Sequence, residues 1–223
     1  MTPSDLSAWR QELRKRLIAS RMAIAPDALQ DLRRQIDLHL QRAFPDLVDC
    51  VLGFCWPYRN EYDVRHLLAL LRRQGAKTAL PVVQGRGQPL EFHAWHPGVA
   101  MAPGVLGIPH PVDTPRLEPD TLLVPVVGFD AQGYRLGYGG GYFDRTLSAR
   151  RARSIALAYE MLFVETIHPQ PHDIPMDYVV TERGVYRREN EVLKFVEDAR
   201  AFSSPPCYAG EIDPGYFGGT PDK

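Results

Sequence analysis

Apolar residues recur every three or four positions in several parts of the chain. In residues 5–22 this spacing comes with Ser4 as a candidate N-cap, and it predicts an amphipathic helix with a basic outer face. The same spacing returns in residues 26–44 and 62–73, which predicts two more helices. No repeat relates the first two helices.

Short apolar runs alternate with these helices. Residues 48–56, 78–83 and 121–127 carry almost no charge, which is typical of strands buried on both faces. A strand, loop, helix and strand in succession form a right-handed βαβ unit with a parallel sheet. The pattern therefore predicts an α/β protein.

The remaining segments are shorter or less regular. Residues 84–119 are rich in Pro and Gly, which predicts an irregular excursion with one strand at 90–95. Residues 202–223 lack periodicity and are predicted to form an irregular tail after a domain of residues 1–201. The other predicted elements are a helix at 142–151, strands at 154–159 and 178–181, and a last helix at about 190–201.

Composition narrows the class of protein. Lys plus Arg (26) balance Asp plus Glu (27), so no overall field favours nucleic acid or a membrane surface as a partner. The cysteines Cys50, Cys55 and Cys207 show no metal-binding or disulfide pattern, and no apolar stretch approaches the ~18 residues that span a bilayer. We expect a cytoplasmic protein, monomeric, without nucleic-acid or membrane partners.

The segment 124–145 is dense in glycine between a predicted strand and a predicted helix. Glycines there let the main chain approach a ligand, and the free N–H groups of a helix start favour an anion such as phosphate. It is not a Walker A loop, and Gly137-x-Gly139-x-x-Tyr142 fails the dinucleotide fingerprint at its sixth position. A turn that only closes a strand onto a helix is the alternative.

Charged and aromatic residues flank these glycines. Arg135 and Arg145 are candidates to bind phosphate oxygens, and Asp144 is a hard carboxylate suited to Mg²⁺. Tyr138 and Tyr142 offer flat faces for a ring. Together they predict a site for a nucleotide phosphate, a metal and an aromatic heterocycle.

These residues resemble the signature of the 5-formyltetrahydrofolate cyclo-ligase family. The resemblance covers roughly residues 8–187. Its motifs are Gly128-Phe-Asp, Arg135-Leu-Gly and Gly139-Gly-Gly-Tyr-Phe-Asp144, with Arg10 and Arg14 in the first helix, Trp56-Pro-Tyr-Arg-Asn-Glu61 and His172-Asp-Ile-Pro-Met-Asp177.

The resemblance implies a three-layer α/β/α fold with a mostly parallel sheet, of the type shared with sugar-phosphate isomerases and CoA transferases. It also implies an enzyme that uses ATP and Mg²⁺ to convert 5-formyltetrahydrofolate to 5,10-methenyltetrahydrofolate, ADP and phosphate. The implied ATP-binding residues are Arg10, Arg14, Arg135, Leu136, Gly137, Tyr138, Gly139, Gly140, Gly141, Tyr142 and Phe143. The implied catalytic residues are Arg135, Tyr142 and Asp144, the substrate-binding residues Trp56, Glu61, Tyr138 and Tyr142, and the metal ligands Asp144 and Asp177.

Arg10 departs from the family, which commonly has Lys at this position, and the two cations differ in shape. That difference leaves open a binding protein that has lost catalysis. An isomerase or CoA transferase on the same sheet is a further alternative, and it would not need ATP. Individually, Glu61 could be a surface charge, Trp56 a core residue and Asp177 a turn residue.

Overall fold

A computed structural model describes residues 2–197 of the chain. The α-helices in this range are α1 (Pro3–Met22), α2 (Pro26–Ala43), α3 (Arg65–Gln74) and α4 (Tyr142–Ala149). Their positions confirm the predicted helices to within a few residues. No helix within residues 2–197 is both long enough and apolar enough to cross a membrane.

The start of α1 corrects the predicted cap. The hydroxyl of Thr2, not that of Ser4, accepts a hydrogen bond from the Asp5 backbone, and the Asp5 carboxylate accepts one from the Thr2 backbone. This reciprocal capping box requires an acidic or amide side chain three residues after the cap. Thr2 has that partner in Asp5, so the helix begins earlier than predicted.

The strands form one large sheet and two small ones. In chain order the strands are β1 (Val51–Phe54), β2 (Lys77–Val82), β3 (Glu91–Ala94), β4 (Met101–Pro103), β5 (Pro109–Pro111), β6 (Arg116–Leu117), β7 (Thr121–Pro125), β8 (Gly128–Asp130), β9 (Arg135–Leu136), β10 (Arg153–Leu157), β11 (Phe163–Val164), β12 (Tyr178–Thr181), β13 (Gly184–Glu189) and β14 (Val192–Phe195). The large sheet has the order β14-β13-β12-β10-β7-β1-β2-β3-β6, and the small sheets are β11-β8-β9 and β4-β5.

The centre of the large sheet is parallel, as predicted. β1 pairs in parallel with β2 and β7, β7 with β10, and β10 with β12. Antiparallel strands extend both edges, β3 and β6 beyond β2, and β13 and β14 beyond β12. The carboxyl ends of the parallel strands therefore meet along one edge, where α/β proteins bind ligands.

Helices cover both faces of this sheet. Leu17 of α1, Ile36 of α2 and Leu68 of α3 belong to the core on one face. Phe143 and Leu147 of α4 pack against the core on the other face. The structure thus has the layered α/β/α arrangement that was expected.

Strand β7 shows why the central strands have no polar face. Leu123 belongs to the first core, whereas Leu122 and Val124 belong to the second. All of them are nearly inaccessible to solvent. Side chains of a strand point alternately to opposite faces, so a strand covered on both sides is apolar throughout.

The last predicted helix is wrong where the structure describes it. Residues Val192–Phe195 form β14, which pairs antiparallel with β13, a strand that was not predicted. Asn190 and Glu191 between them both have positive φ angles of 48° and 67°, and two such residues make a hairpin turn whose twist suits the flanking strands. Residues 198–201 of that helix, and the predicted tail 202–223, lie outside the described residues.

Two further segments differ from the prediction. The strand predicted at 48–56 is restricted to Val51–Phe54, because Pro45–Asp49 forms a short 3₁₀ helix before it. The segment 84–119 contains the predicted strand as β3, and also the β4-β5 hairpin and β6. Its proline and glycine content hid these short strands.

Candidate active site

A cavity of about 370 Å³ opens at the carboxyl ends of the parallel strands. Its walls come from the segments that follow β1, β2 and β7, together with α1, the β4-β5 hairpin and the start of α4. The cavity-lining residues among those predicted are Arg10, Arg14, Trp56, Glu61, Arg135, Leu136, Gly137, Tyr138, Gly139, Gly140, Gly141, Tyr142, Phe143 and Asp144. Their binding roles stay predictions.

The glycine-rich loop 137–141 adopts backbone conformations that disfavour other residues. Gly139 has a φ angle of +93°, and Gly141, which caps α4, has a φ angle of +63°. A Cβ atom on Gly140 would lie 2.8 Å from the ring of Tyr142. The loop therefore needs glycine both for its path and for close packing, and it brings main-chain atoms to the cavity wall.

Arg14 of α1 contacts this loop from the other side. The Nε of Arg14 donates to the Gly137 carbonyl oxygen at 2.7 Å, while its terminal nitrogens have no hydrogen-bond acceptor within residues 2–197. Burial, followed by the nearby charge of Arg10, lowers the pKa of Arg14. An arginine with unused donors on a loop of this kind is suited to an anion.

Arg10, one turn earlier, is already paired. It donates to the carbonyl oxygens of Ile167 and His168, and its Nη2 lies 2.6 Å from an Asp173 carboxylate oxygen. Arg10 thereby fixes α1 against the segment before β12. Asp173 lines the cavity as well, although it was not among the predicted site residues.

Arg135 and Asp144 form an ion pair at the start of α4. The Arg135 side chain is 5% exposed, and its Nη2 donates to Oδ1 of Asp144 at 2.8 Å. Nη1 of Arg135 donates to the Ile174 carbonyl oxygen, and the Ile174 N–H donates to the same Asp144 oxygen. Oδ2 of Asp144 has no hydrogen-bond partner within residues 2–197, so it is available to a ligand.

Glu61 is buried, which argues against its reading as a surface charge. It is 4% exposed, and it accepts hydrogen bonds from the Tyr58 backbone at 3.0 Å and the Tyr138 hydroxyl at 2.9 Å. Nη2 of Arg21 lies 3.6 Å from the same oxygen that binds Tyr138. Burial raises the pKa of Glu61, and Arg21 opposes this shift more than the hydrogen bonds do.

Aromatic rings border Glu61 in the cavity. Trp56 is half-buried, meets Trp95 edge to face at 6.2 Å, and has the Arg65 guanidinium 4.3 Å above its ring. Tyr58 lies 5.8 Å from Tyr138, measured between ring centroids. Trp56 is therefore a cavity-wall residue and not a residue of the closed core.

Asp177 does not share a site with Asp144. It directly precedes β12, and its Oδ2 accepts hydrogen bonds from the Ser154 backbone and hydroxyl, beside the start of β10. β12 and β10 are parallel, so this position is at the amino ends of the strands, on the opposite edge from the cavity. A joint metal site of Asp144 and Asp177 does not fit this placement.

Arg145 also differs from its expected role. It donates to the carbonyl oxygens of Gln88 and Gly140, and its guanidinium lies 5.0 Å from the Tyr142 ring centroid. It is not among the residues that line the cavity. In this structure Arg145 holds the loop to its surroundings.

Comparison with known proteins agrees with this geometry. A model of the 5-formyltetrahydrofolate cyclo-ligase family matches residues 6–182. The chain belongs to this family. The match includes Arg10 and Arg14 of α1, the glycine-rich loop and α4, and it ends at the turn between β12 and β13.

Individual cyclo-ligases are similar over most of their length. The 5-formyltetrahydrofolate cyclo-ligase of Escherichia coli strain K12 is 30% identical over 176 residues, which cover 74% of this chain and 96% of that protein. The enzyme of the same name from Mycolicibacterium smegmatis is 36% identical over 140 residues, covering 58% of this chain and 72% of that protein.

Solved structures show the same fold. The NMR structure of Aquifex aeolicus 5,10-methenyltetrahydrofolate synthetase matches with a TM-score of 0.71 and 28% identity, over 84% of this chain and 97% of that one. The synthetase from Mycoplasma pneumoniae matches with a TM-score of 0.63 at 23% identity, over 78% and 98%.

The sequence analysis of this cyclo-ligase family member did not identify two polar residues, Asp173 and Arg21. Asp173 and Asp177 belong to the same sequence motif, and only the structure shows that Asp173 lines the cavity and Asp177 does not. Arg21 follows Leu13 and Leu17 at a spacing of four residues on α1, and all of them are buried. An arginine in line with an apolar stripe was the available signal.

Proposed function

We propose that this protein catalyses the ATP-dependent conversion of 5-formyltetrahydrofolate to 5,10-methenyltetrahydrofolate, with release of ADP and phosphate. Its membership of the cyclo-ligase family supports the reaction. One observation carries the proposal: the glycine-rich loop with its arginines and the buried Glu61 carboxylate with its aromatic neighbours line the same cavity.

The chemistry requires activation of a poor leaving group. The formyl group on N5 is an amide, so its oxygen cannot depart when N10 closes the ring. In the proposed sequence this oxygen attacks the γ-phosphate of ATP and releases ADP. N10 then adds to the iminium carbon and loses its proton to solvent, and the C–O bond breaks as phosphate leaves with the formyl oxygen. The enzyme contributes mainly orientation and charge neutralisation.

Residues of the glycine-rich loop and α1 are proposed to hold the nucleotide. Arg14 has unused donors beside the loop, and they would neutralise phosphate oxygens. Arg10 would act beside it, with Arg in place of the more common Lys and with Asp173 as its present partner. Arg135 would hold Asp144 in place and offset charge on the transferred group.

Asp144 is the proposed ligand for Mg²⁺. Within residues 2–197 no group of three or more His, Cys, Asp or Glu side chains could hold a metal alone. Mg²⁺ at ATP sites usually takes one or two carboxylates together with phosphates and water, which fits the free Oδ2 of Asp144. Asp173, beside Ile174 at the same end of α4, is a better second candidate than Asp177. The ion would neutralise phosphate charge.

Glu61 and its aromatic neighbours are proposed to bind the folate. A buried carboxylate accepts hydrogen bonds from N–H groups, as the pterin ring offers along one edge. Trp56, Tyr138 and Tyr142 would pack against flat parts of the substrate. The Tyr138 hydroxyl donates a hydrogen bond to Glu61, so Glu61 is in direct contact with the glycine-rich loop.

We also propose that the protein acts in the cytoplasm as a monomer, without nucleic-acid or membrane partners. Two observations support this proposal. Positive and negative charges are nearly balanced, and the thiols of Cys50 and Cys55 are free.

An omission series tests the proposed reaction. The protein is mixed with 5-formyltetrahydrofolate, ATP and Mg²⁺, and the absorbance of the methenyl product is followed with each component left out in turn. We expect turnover in the complete mixture, and none without ATP or without divalent metal. Full turnover without ATP would rule out the cyclo-ligase reaction and favour an isomerase or transferase.

A further inference from the structure

Arg21 is a fully buried cation that the proposed reaction has not yet used. It lies on α1 with only 1% of its surface exposed, and it is not a cavity-lining residue. Arginines are almost never buried to this extent unless their donors are paired. Its partners therefore indicate what it does.

Each nitrogen of the Arg21 guanidinium contacts a different part of the active-site frame. Nε donates to the Arg59 carbonyl oxygen at 2.8 Å, and Nη1 donates to the Val126 carbonyl oxygen at 3.0 Å. Nη2 donates to the Tyr138 hydroxyl at 2.8 Å and lies 3.6 Å from Oε1 of Glu61. One planar group thus connects α1 with the segments after β1 and β7 and with the glycine-rich loop.

Tyr138 completes a relay of hydrogen bonds. Its hydroxyl oxygen accepts a hydrogen bond from Nη2 of Arg21 and its O–H donates one to Oε1 of Glu61 at 2.9 Å. This arrangement sets the direction of the Tyr138 O–H bond and restrains the Glu61 carboxylate on one side. Tyr138 belongs to the glycine-rich loop, which is proposed to bind the nucleotide, whereas Glu61 is proposed to bind the folate.

We propose that Arg21 is a positioning residue that orients Glu61 toward the folate and connects it, through Tyr138, to the glycine-rich loop. The inference rests on the proposed function, because it assumes that Glu61 binds folate. Arg21 acts through these neighbours and not on the reacting atoms. A lysine would not replace it, because one ammonium cannot reach three separate acceptors in a plane.

The charges around Glu61 make this role measurable. Burial raises the pKa of Glu61, whereas Arg21, the Tyr138 hydroxyl and the Tyr58 N–H lower it. The Cys55 thiol also faces Glu61, and burial raises the pKa of that thiol, so it adds no charge near neutral pH. Removal of Arg21 would let the pKa of Glu61 rise further. Glu61 would then be protonated at the acidic end of the pH range, and the protonated oxygen could no longer accept a hydrogen bond from the pterin N–H groups.

The test compares Arg21→Lys and Arg21→Met with Arg16→Met, an exposed arginine on the same helix. Folate KM and kcat are measured from about pH 6 to about pH 9, and folate Kd is measured by calorimetry without ATP. We expect Arg21→Met to raise folate KM and Kd about tenfold at the acidic end, with recovery as the pH rises. Arg21→Lys should show a smaller shift, and Arg16→Met should match the wild type.

Tyr138→Phe keeps the test decisive if the Arg21 variants do not fold. It removes only the hydroxyl between Arg21 and Glu61, so it should produce the same pH-dependent loss of folate binding, by about threefold. Folded Arg21 variants that lose kcat equally at every pH, with unchanged folate Kd, would show a merely structural role. So would a Tyr138→Phe variant with an unchanged folate Kd at every pH.

These outcomes are distinct from failure of the proposed function. A wild-type protein that binds folate but does not turn over with ATP would refute the reaction, while the calorimetric comparison would still test Arg21. A wild-type protein that binds no folate would refute both.

Discussion

Replacement of Asp144 by Asn separates the structural role of this residue from its proposed role in metal binding. Oδ1 of Asp144 accepts hydrogen bonds from Arg135 and from the Ile174 backbone, while Oδ2 has no partner within residues 2–197. Asn has the same size, and its carbonyl oxygen can still accept both bonds. The variant therefore removes the negative charge while the geometry is retained.

The expected magnitudes differ between folding and catalysis. A hydrogen bond to a charged group contributes about 1 kcal/mol more than a neutral one, and the Asp144 side chain is 21% exposed, so we expect a loss of about 1 kcal/mol in the free energy of unfolding. Loss of charge stabilisation at a transferred phosphoryl group should lower kcat/KM about 100-fold. Folate affinity without metal should change less than about twofold.

The matched control is Asp177→Asn. Asp177 accepts hydrogen bonds from Ser154 at the opposite edge of the sheet, so its loss should cost stability but leave the Mg²⁺ dependence of turnover unchanged. Urea unfolding, a Mg²⁺ titration of turnover and folate calorimetry are measured for both variants. If Asp144→Asn affects turnover no more than folate affinity, Asp144 is not a metal ligand. If Asp177→Asn alone shifts the Mg²⁺ titration, the placement of the metal is wrong.

Further predictions concern the folate site, the thiols and the C-terminal boundary. Glu61→Gln replaces an acceptor oxygen by a donor, so folate binding measured by calorimetry should weaken by about 1.5–3 kcal/mol, and an unchanged affinity would remove Glu61 from the site. Burial raises the pKa of the Cys50 thiol to about 11 and also raises the pKa of the Cys55 thiol. Both thiols should therefore be alkylated slowly in the native protein at about pH 8, as followed by mass spectrometry. Alkylation as fast as in the unfolded chain would contradict this. Truncation after Ala201 should leave ATP-dependent cyclisation intact, and an inactive but folded product would place the tail in the active site.

The parallel core could be predicted because its signal is local. Residues 122–124 are apolar at every position, and a strand covered on both faces is apolar throughout. The glycine-rich loop was equally visible, because Gly139 and Gly141 are needed where the backbone adopts positive φ angles. Each of these features depends on residues that are close in sequence.

The features that sequence reasoning missed depend on distant partners. The stripe of Leu13 and Leu17 indicates that Arg21 is buried, but not what pairs with it. Its acceptors on Arg59, Val126 and Tyr138 come from far along the chain. The placement of Asp177 depends on the direction of β12 relative to β10, and not on its spacing from Asp144. Strand β14 depends on its pairing with β13, and local helix propensity does not report such a pairing.

The fate of the formyl oxygen tests the central claim most directly, because the proposed reaction transfers that oxygen to the γ-phosphate. 5-Formyltetrahydrofolate labelled with ¹⁸O in the formyl group is converted by the protein in unlabelled water with ATP and Mg²⁺, and the released phosphate is analysed by mass spectrometry. The account predicts one labelled oxygen in the phosphate for each methenyl product formed. Methenyl product accompanied by unlabelled phosphate would contradict it, since the oxygen would then have left without phosphorylation.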